Sequence, residues 1–161
     1  MKHHCVLLVL AVGLLFGTST RLLARDGAVI EQSEIEAGRR SDFGYARRAK
    51  KVDDLVHLSF DRANLLTGKK AIAYSRAKGM GDDVPNDYII ANDNPKLRNL
   101  VLAPSVVITG TGVLANGSVE PKPVTLAAFI AALQRYDDGI PVNITYDKQR
   151  SVVKIAEPFF P

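Results

Sequence analysis

The chain has 161 residues, with 21 Lys and Arg against 17 Asp and Glu, a formal net charge of +4. Residues 1–24 read as an export leader, and removing them leaves about 137, enough for one domain and too few for two. Lys2, Arg21, His3, His4 and the only cysteine, Cys5, all lie in that leader, so the mature chain carries 19 basic against 17 acidic residues and His57 alone among histidines. That composition excludes disulfides, thiolate metal sites, a cysteine nucleophile and a His-rich zinc site from the mature domain.

Met1 to His4 gives a short basic start, and Val6 to Phe16 is an apolar run broken only by Gly13. A membrane span needs roughly 20 apolar residues, so this run ending in Gly17-Thr18-Ser19-Thr20-Arg21 predicts a cleaved signal peptide with no transmembrane anchor after processing. The expected location is secreted or periplasmic. Residues 25–41 hold Asp26, Glu31, Glu34 and Glu36 without a regular period and read as a flexible spacer, which leaves 42–161 as a single small β-rich domain. Arg39, Arg40, Arg47, Arg48, Lys50 and Lys51 then concentrate positive charge opposed only by Asp42, while the rest of the domain is balanced.

Phe43 and Tyr45 repeat at period two. After a polar turn at Lys51 to Asp54, Val56, Leu58 and Phe60 alternate with His57, Ser59 and Asp61, which predicts a β-hairpin. Thr67 is placed to cap a short helix carrying Ala71, Ile72 and Tyr74, with Gly79 at its left-handed end. A polar loop around Pro85 leads to a strand at Tyr88 to Ala91, a turn at Asn92 to Pro95, and extended pieces at Leu97 to Leu102 and Val106 to Thr109. Gly110 to Gly117 reads as a Gly-rich loop without a phosphate-binding or dinucleotide fingerprint. Thr125 caps a second helix whose Leu126, Phe129, Ile130 and Leu133 share one face, and Val142, Ile144 and Tyr146 pair with the segment from Val152 to Glu157 as a closing hairpin. The fold class is mostly β or α+β: a small antiparallel barrel, OB-like or SH3-like, with two short helices. In the OB order the helix at Thr125 lies between the third and fourth strands and the helix at Thr67 belongs to an insertion.

Phe60-Asp61, Leu66-Thr67-Gly68, Pro85-Asn86-Asp87-Tyr88-Ile89-Ile90 and Asn92-Asp93-Asn94-Pro95-Lys96-Leu97-Arg98 together resemble a family of small exported bacterial proteins common in actinobacteria. The ending Pro141-Val142, Val153, Ile155, Glu157 and Pro161 resembles the family's ending. The resemblance implies export and a domain extending from about Phe43 to Pro161, and it implies no activity.

His57, Ser59 and Asp61 are the residue types of a nucleophilic relay, yet same-face strand neighbours stand roughly 6.5 to 7 Å apart, too far for the hydrogen bonds a relay needs. A polar outer face on a half-buried strand is the simpler reading. The doublets Asp53-Asp54, Asp82-Asp83 and Asp137-Asp138 sit at predicted turns, whereas paired-carboxylate chemistry needs one acid in an apolar pocket. Asp82, Asp83, Asn86, Asp87, Asn92, Asp93 and Asn94 with Arg98 form the densest polar cluster. It suits backbone-fixing turns, a ligand-contacting rim, or oxygen ligands for calcium without the EF-hand spacing. The basic run Arg39, Arg40, Arg47, Arg48, Lys50 and Lys51 is a candidate polyanion contact.

These features favour a non-catalytic exported barrel that binds an acidic envelope polymer or a partner protein, with no cofactor, no metal and no nucleic-acid partner. A hydrolase using carboxylate or His57 chemistry and a calcium-stabilised extracellular domain are the alternatives.

Overall fold

The computed structural model describes residues 40–94 and 96–160. The expected leader, the spacer up to Arg39, Pro95 and Pro161 lie outside the described residues. Arg40 and Ser41, assigned to the spacer from sequence, already belong to the first strand.

β1 (Arg40–Val52) and β2 (Leu55–Arg62) form the expected hairpin, closed by a two-residue turn at which Asp53 adopts a φ of 53°, a left-handed conformation that Asp tolerates. Its period-two pattern buries Ala46, Leu58 and Phe60 on one side. The register slips between Ala46↔Phe60 and Arg48↔Ser59, so Arg47 is the extra residue of a β-bulge. The bulge sends Arg47 and Arg48 to the same outer side of the sheet.

β5 (Leu97–Gly112) pairs with β2 through its first half and with β8 (Val152–Ala156) through its second. The two extended pieces read from sequence are therefore one strand. Pro104 lies where the β5–β8 register jumps between Leu102 and Val107, the kind of interruption in which a residue lacking an N–H is tolerated. β7 (Ile140–Tyr146) pairs with β8 and with β1, which closes the barrel in the order β2-β1-β7-β8-β5 and back to β2. The expected antiparallel barrel is in fact mixed: β5 and β8 run parallel, because a helix and the whole of β7 separate them along the chain. Helix α2 (Leu126–Leu133) falls between the third and fourth barrel strands, which is the OB rather than the SH3 arrangement. Thr125 Oγ1 accepts from Ala128 N at 3.2 Å, and Phe129, Ala132 and Leu133 face the core, with Ala132 taking the place expected of Ile130. Burying Phe129 and Phe60, both 0% exposed, contributes roughly 1.5–3 kcal/mol for each side chain.

Between β2 and β5 an insertion runs through β3 (Asn64–Thr67), α1 (Gly68–Ala77), a single 3-10 turn at Pro85–Asp87, and β4 (Tyr88–Ala91), with β3 and β4 paired as a separate ribbon. Thr67 stands at the N-cap of α1 as expected, but its side chain makes no capping bond; its backbone is committed to β3, and Gly68, at φ +52°, turns the strand directly into the helix. The insertion is tied down on the outside of the barrel. Ala63 N donates to Phe43 O at 3.0 Å, and the Phe160 ring packs 4.9 Å from Tyr88 and 6.5 Å, edge-on, from Phe43.

The expected Gly-rich loop is only a turn. Gly110 to Gly112 finish β5, residues 113–117 reverse the chain, and β6 (Ser118–Pro123), which was not anticipated, pairs back onto β5. Its two prolines, Pro121 and Pro123, make it a poor template for further pairing. Glu157 holds this turn from the other end of the chain. Its carboxylate accepts from Val113 N at 2.8 Å and Leu114 N at 2.9 Å, and its carbonyl accepts from Thr111 Oγ1 at 3.1 Å. The backbone donors that would cradle an external anion are thus filled by the chain's own acid.

Burial pushes the Glu157 carboxyl above its ordinary value of 4.5, and the bonds from the Leu114, Val113 and Thr111 donors pull it partly back. A carboxyl whose folded value exceeds its unfolded one binds more protons in the native state. Its contribution is full below pH 4.5 and is lost as pH rises through the folded value. Between pH 4.5 and that value Glu157 therefore works against the usual gain of stability with pH. In Glu157→Gln, the melting temperature should rise more steeply with pH just above 4.5 than in the native protein. An unchanged slope, measured by circular dichroism, contradicts this reading of Glu157.

Candidate functional site

The outer face of β1, β2 and β5 is ruled by cross-strand rows. Tyr45, Asp61 and Leu97 form the first, Arg48, Ser59 and Asn99 the second, and Lys50, His57 and Val101 the third, with Val52 opposite Leu55 at the hairpin tip. Successive rows are two residues apart along each strand, a spacing of about 6.6–6.8 Å.

The first row is closed over. Asp61 lies on the polar outer face expected of the strand but is only 3% exposed, whereas His57 and Ser59 on the same face are half-buried. Arg47 Nη2 donates to Asp61 Oδ2 at 2.9 Å, Asn92 Nδ2 donates to the same oxygen at 2.8 Å, and Arg47 also bonds the Asp138 carbonyl while lying 5.0 Å over the Tyr45 ring. One buried carboxylate thereby joins the bulge of β1, the segment after β4 and the loop before β7. With Asp61 so engaged, no acid orients His57, and the relay among His57, Ser59 and Asp61 is not assembled.

The second and third rows stay open. Arg48, Lys50, Val52, His57, Ser59 and Asn99 line a groove of about 390 Å³. No carboxylate lines it, and among the described residues neither Arg48 nor Lys50 enters an ion pair. His57 Nδ1 is enclosed and has no hydrogen-bond partner among the described residues. The groove surface itself is mainly apolar, and the residues that form it carry a guanidinium, an ammonium, a hydroxyl, a side-chain amide and an imidazole.

The six basic residues of the sequence reading thus separate by role. Arg39 lies outside the described residues. Arg40 stands 3.6 Å from Asp42, which also receives Arg62 at 2.5 Å and the Tyr146 hydroxyl at 3.0 Å; burial and then the Asp42 charge push that phenol up to about 12. Arg47 is bound to Asp61, Arg48 and Lys50 face the groove, and Lys51 is exposed on the opposite side of the strand.

The polar cluster of the insertion does not converge on one point. Asp82 pairs with Arg76, and that guanidinium holds its carboxyl below the ordinary range. Asp93 takes Lys78 Nζ at 2.7 Å and the Tyr74 hydroxyl at 2.9 Å, which lower its carboxyl likewise. Asn92 serves Asp61, Asn94 Oδ1 accepts from Lys96 N at 3.2 Å, and Arg98 Nη1 donates to Lys96 O at 2.9 Å. Asn86 and Asp87 take φ values of 58° to shape the turn, and Asp83 is exposed. Among the described residues no group of three or more His, Cys, Asp or Glu is arranged to hold a metal ion, and the three Asp doublets are all exposed.

Sequence reasoning missed Ser59 and Asn99 as partners of Arg48, because only the β2–β5 register sets them in line. His57 was weighed for catalysis rather than as part of a basic row. The missed signal was Arg47-Arg48, adjacent charges inside a period-two segment, which is what a bulge looks like in sequence.

Comparison with protein-family models, with curated proteins and with solved structures finds no match to this chain. Among the described residues no helix is long and apolar enough to cross a membrane.

Proposed function

We propose that this chain is an exported, non-catalytic binding domain whose small barrel holds an acidic polymer of the cell envelope along the outer face of β1, β2 and β5. The observation that carries the reading is the groove itself: Arg48 and Lys50 enter no ion pair among the described residues, and no acid stands in its lining. Closed five-stranded barrels of this connectivity offer their second and third strands as a ligand platform, and here those strands are β2 and β5. The apolar leader, with no later apolar run of spanning length, supports export, and the resemblance to small exported bacterial proteins supports it further.

Titration of the labelled protein with an anionic polymer by fluorescence anisotropy tests the reading. Arg48→Gln combined with Lys50→Gln should weaken binding at least tenfold at low salt, since a charge-assisted hydrogen bond contributes about 1.5–3 kcal/mol. Neutralising the exposed Lys122 on β6 should leave affinity unchanged. Equal affinity in the double variant and the native protein sinks the assignment.

A further inference from the structure

We infer that the groove takes a polyol-phosphate chain, with two successive phosphates seated on its two open rows; this rests on the reading of the face as a polyanion site and names the polymer. One seat is Arg48 with Ser59 and Asn99, the other Lys50 with His57. In the first, a guanidinium fork, a hydroxyl and an amide approach from three adjacent strands. That spread suits a tetrahedral phosphodiester, whose two free and two ester oxygens lie in different planes, better than a flat carboxylate, which a single fork satisfies. In the second, Lys50 supplies an ammonium charge and stands opposite His57 across the β1–β2 pair.

Spacing identifies the repeat. Rows two residues apart are separated by six chain bonds, about 6.6–6.8 Å in a strand. A phosphodiester polymer with a three-carbon linker also places about six bonds of similar length between neighbouring phosphorus atoms, so an extended chain lying along β1 meets both rows in step. A longer polyol linker falls out of step, and a uronic-acid polymer offers flat carboxylates held by rings. A nucleic-acid strand has the same linker length, but strands of that kind are held by stacking bases on aromatic rings, and none of the six groove residues is Phe, Tyr or Trp. Phe43 and Tyr45 of this face lie on the half that the insertion closes, and Tyr88 belongs to the insertion itself.

The test uses the purified full chain and five probes: poly(glycerol phosphate), poly(ribitol phosphate), polygalacturonate, oligothymidylate and monomeric glycerol phosphate. The inference expects poly(glycerol phosphate) to bind at least tenfold tighter than each of the other four at equal charge concentration. Arg48→Gln and Lys50→Gln should each weaken it about tenfold and each lower the slope of log affinity against log salt by about one. Ser59→Ala and Asn99→Ala, which remove no charge, should weaken it without changing that slope. Circular dichroism confirms that each variant is folded. Equal binding of all the polymers, still lost in Arg48→Gln, overturns the polyol-phosphate assignment while the basic face stands as the polyanion site. Tighter binding of oligothymidylate also overturns it, in favour of nucleic acid. Failure of every polymer to bind overturns both the assignment and the reading beneath it.

Discussion

Asp61→Ala is expected to destabilise the fold by about 3 kcal/mol, the low end for breaking a buried ion pair, because Arg47 keeps 27% of its side chain exposed. For a domain of this size that corresponds to a fall in melting temperature of about 10 °C. Removing the carboxylate leaves a guanidinium without its counter-charge beneath Asn92 and strips Asn92 of its acceptor, so the insertion loses its strongest polar tie to the barrel. Replacing both partners, in Arg47→Met with Asp61→Ala, should cost clearly less than Asp61→Ala alone, because no stranded charge remains. Additive losses in that cycle, or a native melting temperature for Asp61→Ala, are the outcomes that defeat this account of Asp61.

Gly44→Ala should be at least as damaging, for a steric reason. A Cβ at Gly44 would press on the Asp61 carbonyl oxygen and stand 2.8 Å from both the Arg62 Cα and the tip of the Phe60 ring. The obstacles are the backbone of a paired strand and a ring with 0% exposure, neither of which can yield, so a loss of about 3 kcal/mol is expected. Gly79→Ala is the internal comparison. Gly79 has a φ of +72° and open space around it, so its cost comes from conformation alone, about 1 kcal/mol. If thermal unfolding finds Gly44→Ala no worse than Gly79→Ala, crowding at β1–β2 is not what demands glycine there.

The contrast between these two sites shows what a sequence can and cannot disclose. The hairpin from Phe43 to Phe60, the capped helix after Thr125 and the closing hairpin from Val142 to Ile155 were legible because each is written in a local period of two or of three to four residues. A small β-barrel with two short helices followed from the count and order of those elements, and the parallel β5–β8 pair did not. What was hidden depends on partners far apart in the chain. Asp61 reads as one more polar residue in an alternating strand until Arg47, 14 positions away, and Asn92, 31 positions away, close over it. Glu157 reads as a charged tail residue until a turn 43 positions earlier offers it two backbone donors. β6 was invisible for the opposite reason: Ser118–Pro123 contains the residues that strands avoid, and only an edge position beside β5 accommodates them.

The same separation of local from distant explains the candidate site. The run of positive charge was evident, but the sequence alone could not divide it into the arginine that holds the fold, Arg47, and the cations that face the groove, Arg48 and Lys50. The bulge at Arg47 makes that division. It hands one guanidinium to Asp61 and begins the open half of the face immediately afterward. In the asparagine-rich stretch around Asn92, read as backbone-fixing turns, a ligand-contacting rim or an ion site, Asn92 bonds Asp61, Asp93 bonds Lys78 and Tyr74, and Asn94 fixes its own turn.

The most direct measurement is an amide chemical-shift map of the isotope-labelled protein titrated with poly(glycerol phosphate). The account predicts that shifts concentrate at Arg48 to Val52, His57 to Ser59 and Asn99 to Val101, leaving β6 and α2 unmoved. Shifts centred on Asp82 to Arg98, or spread evenly over the surface, would contradict it.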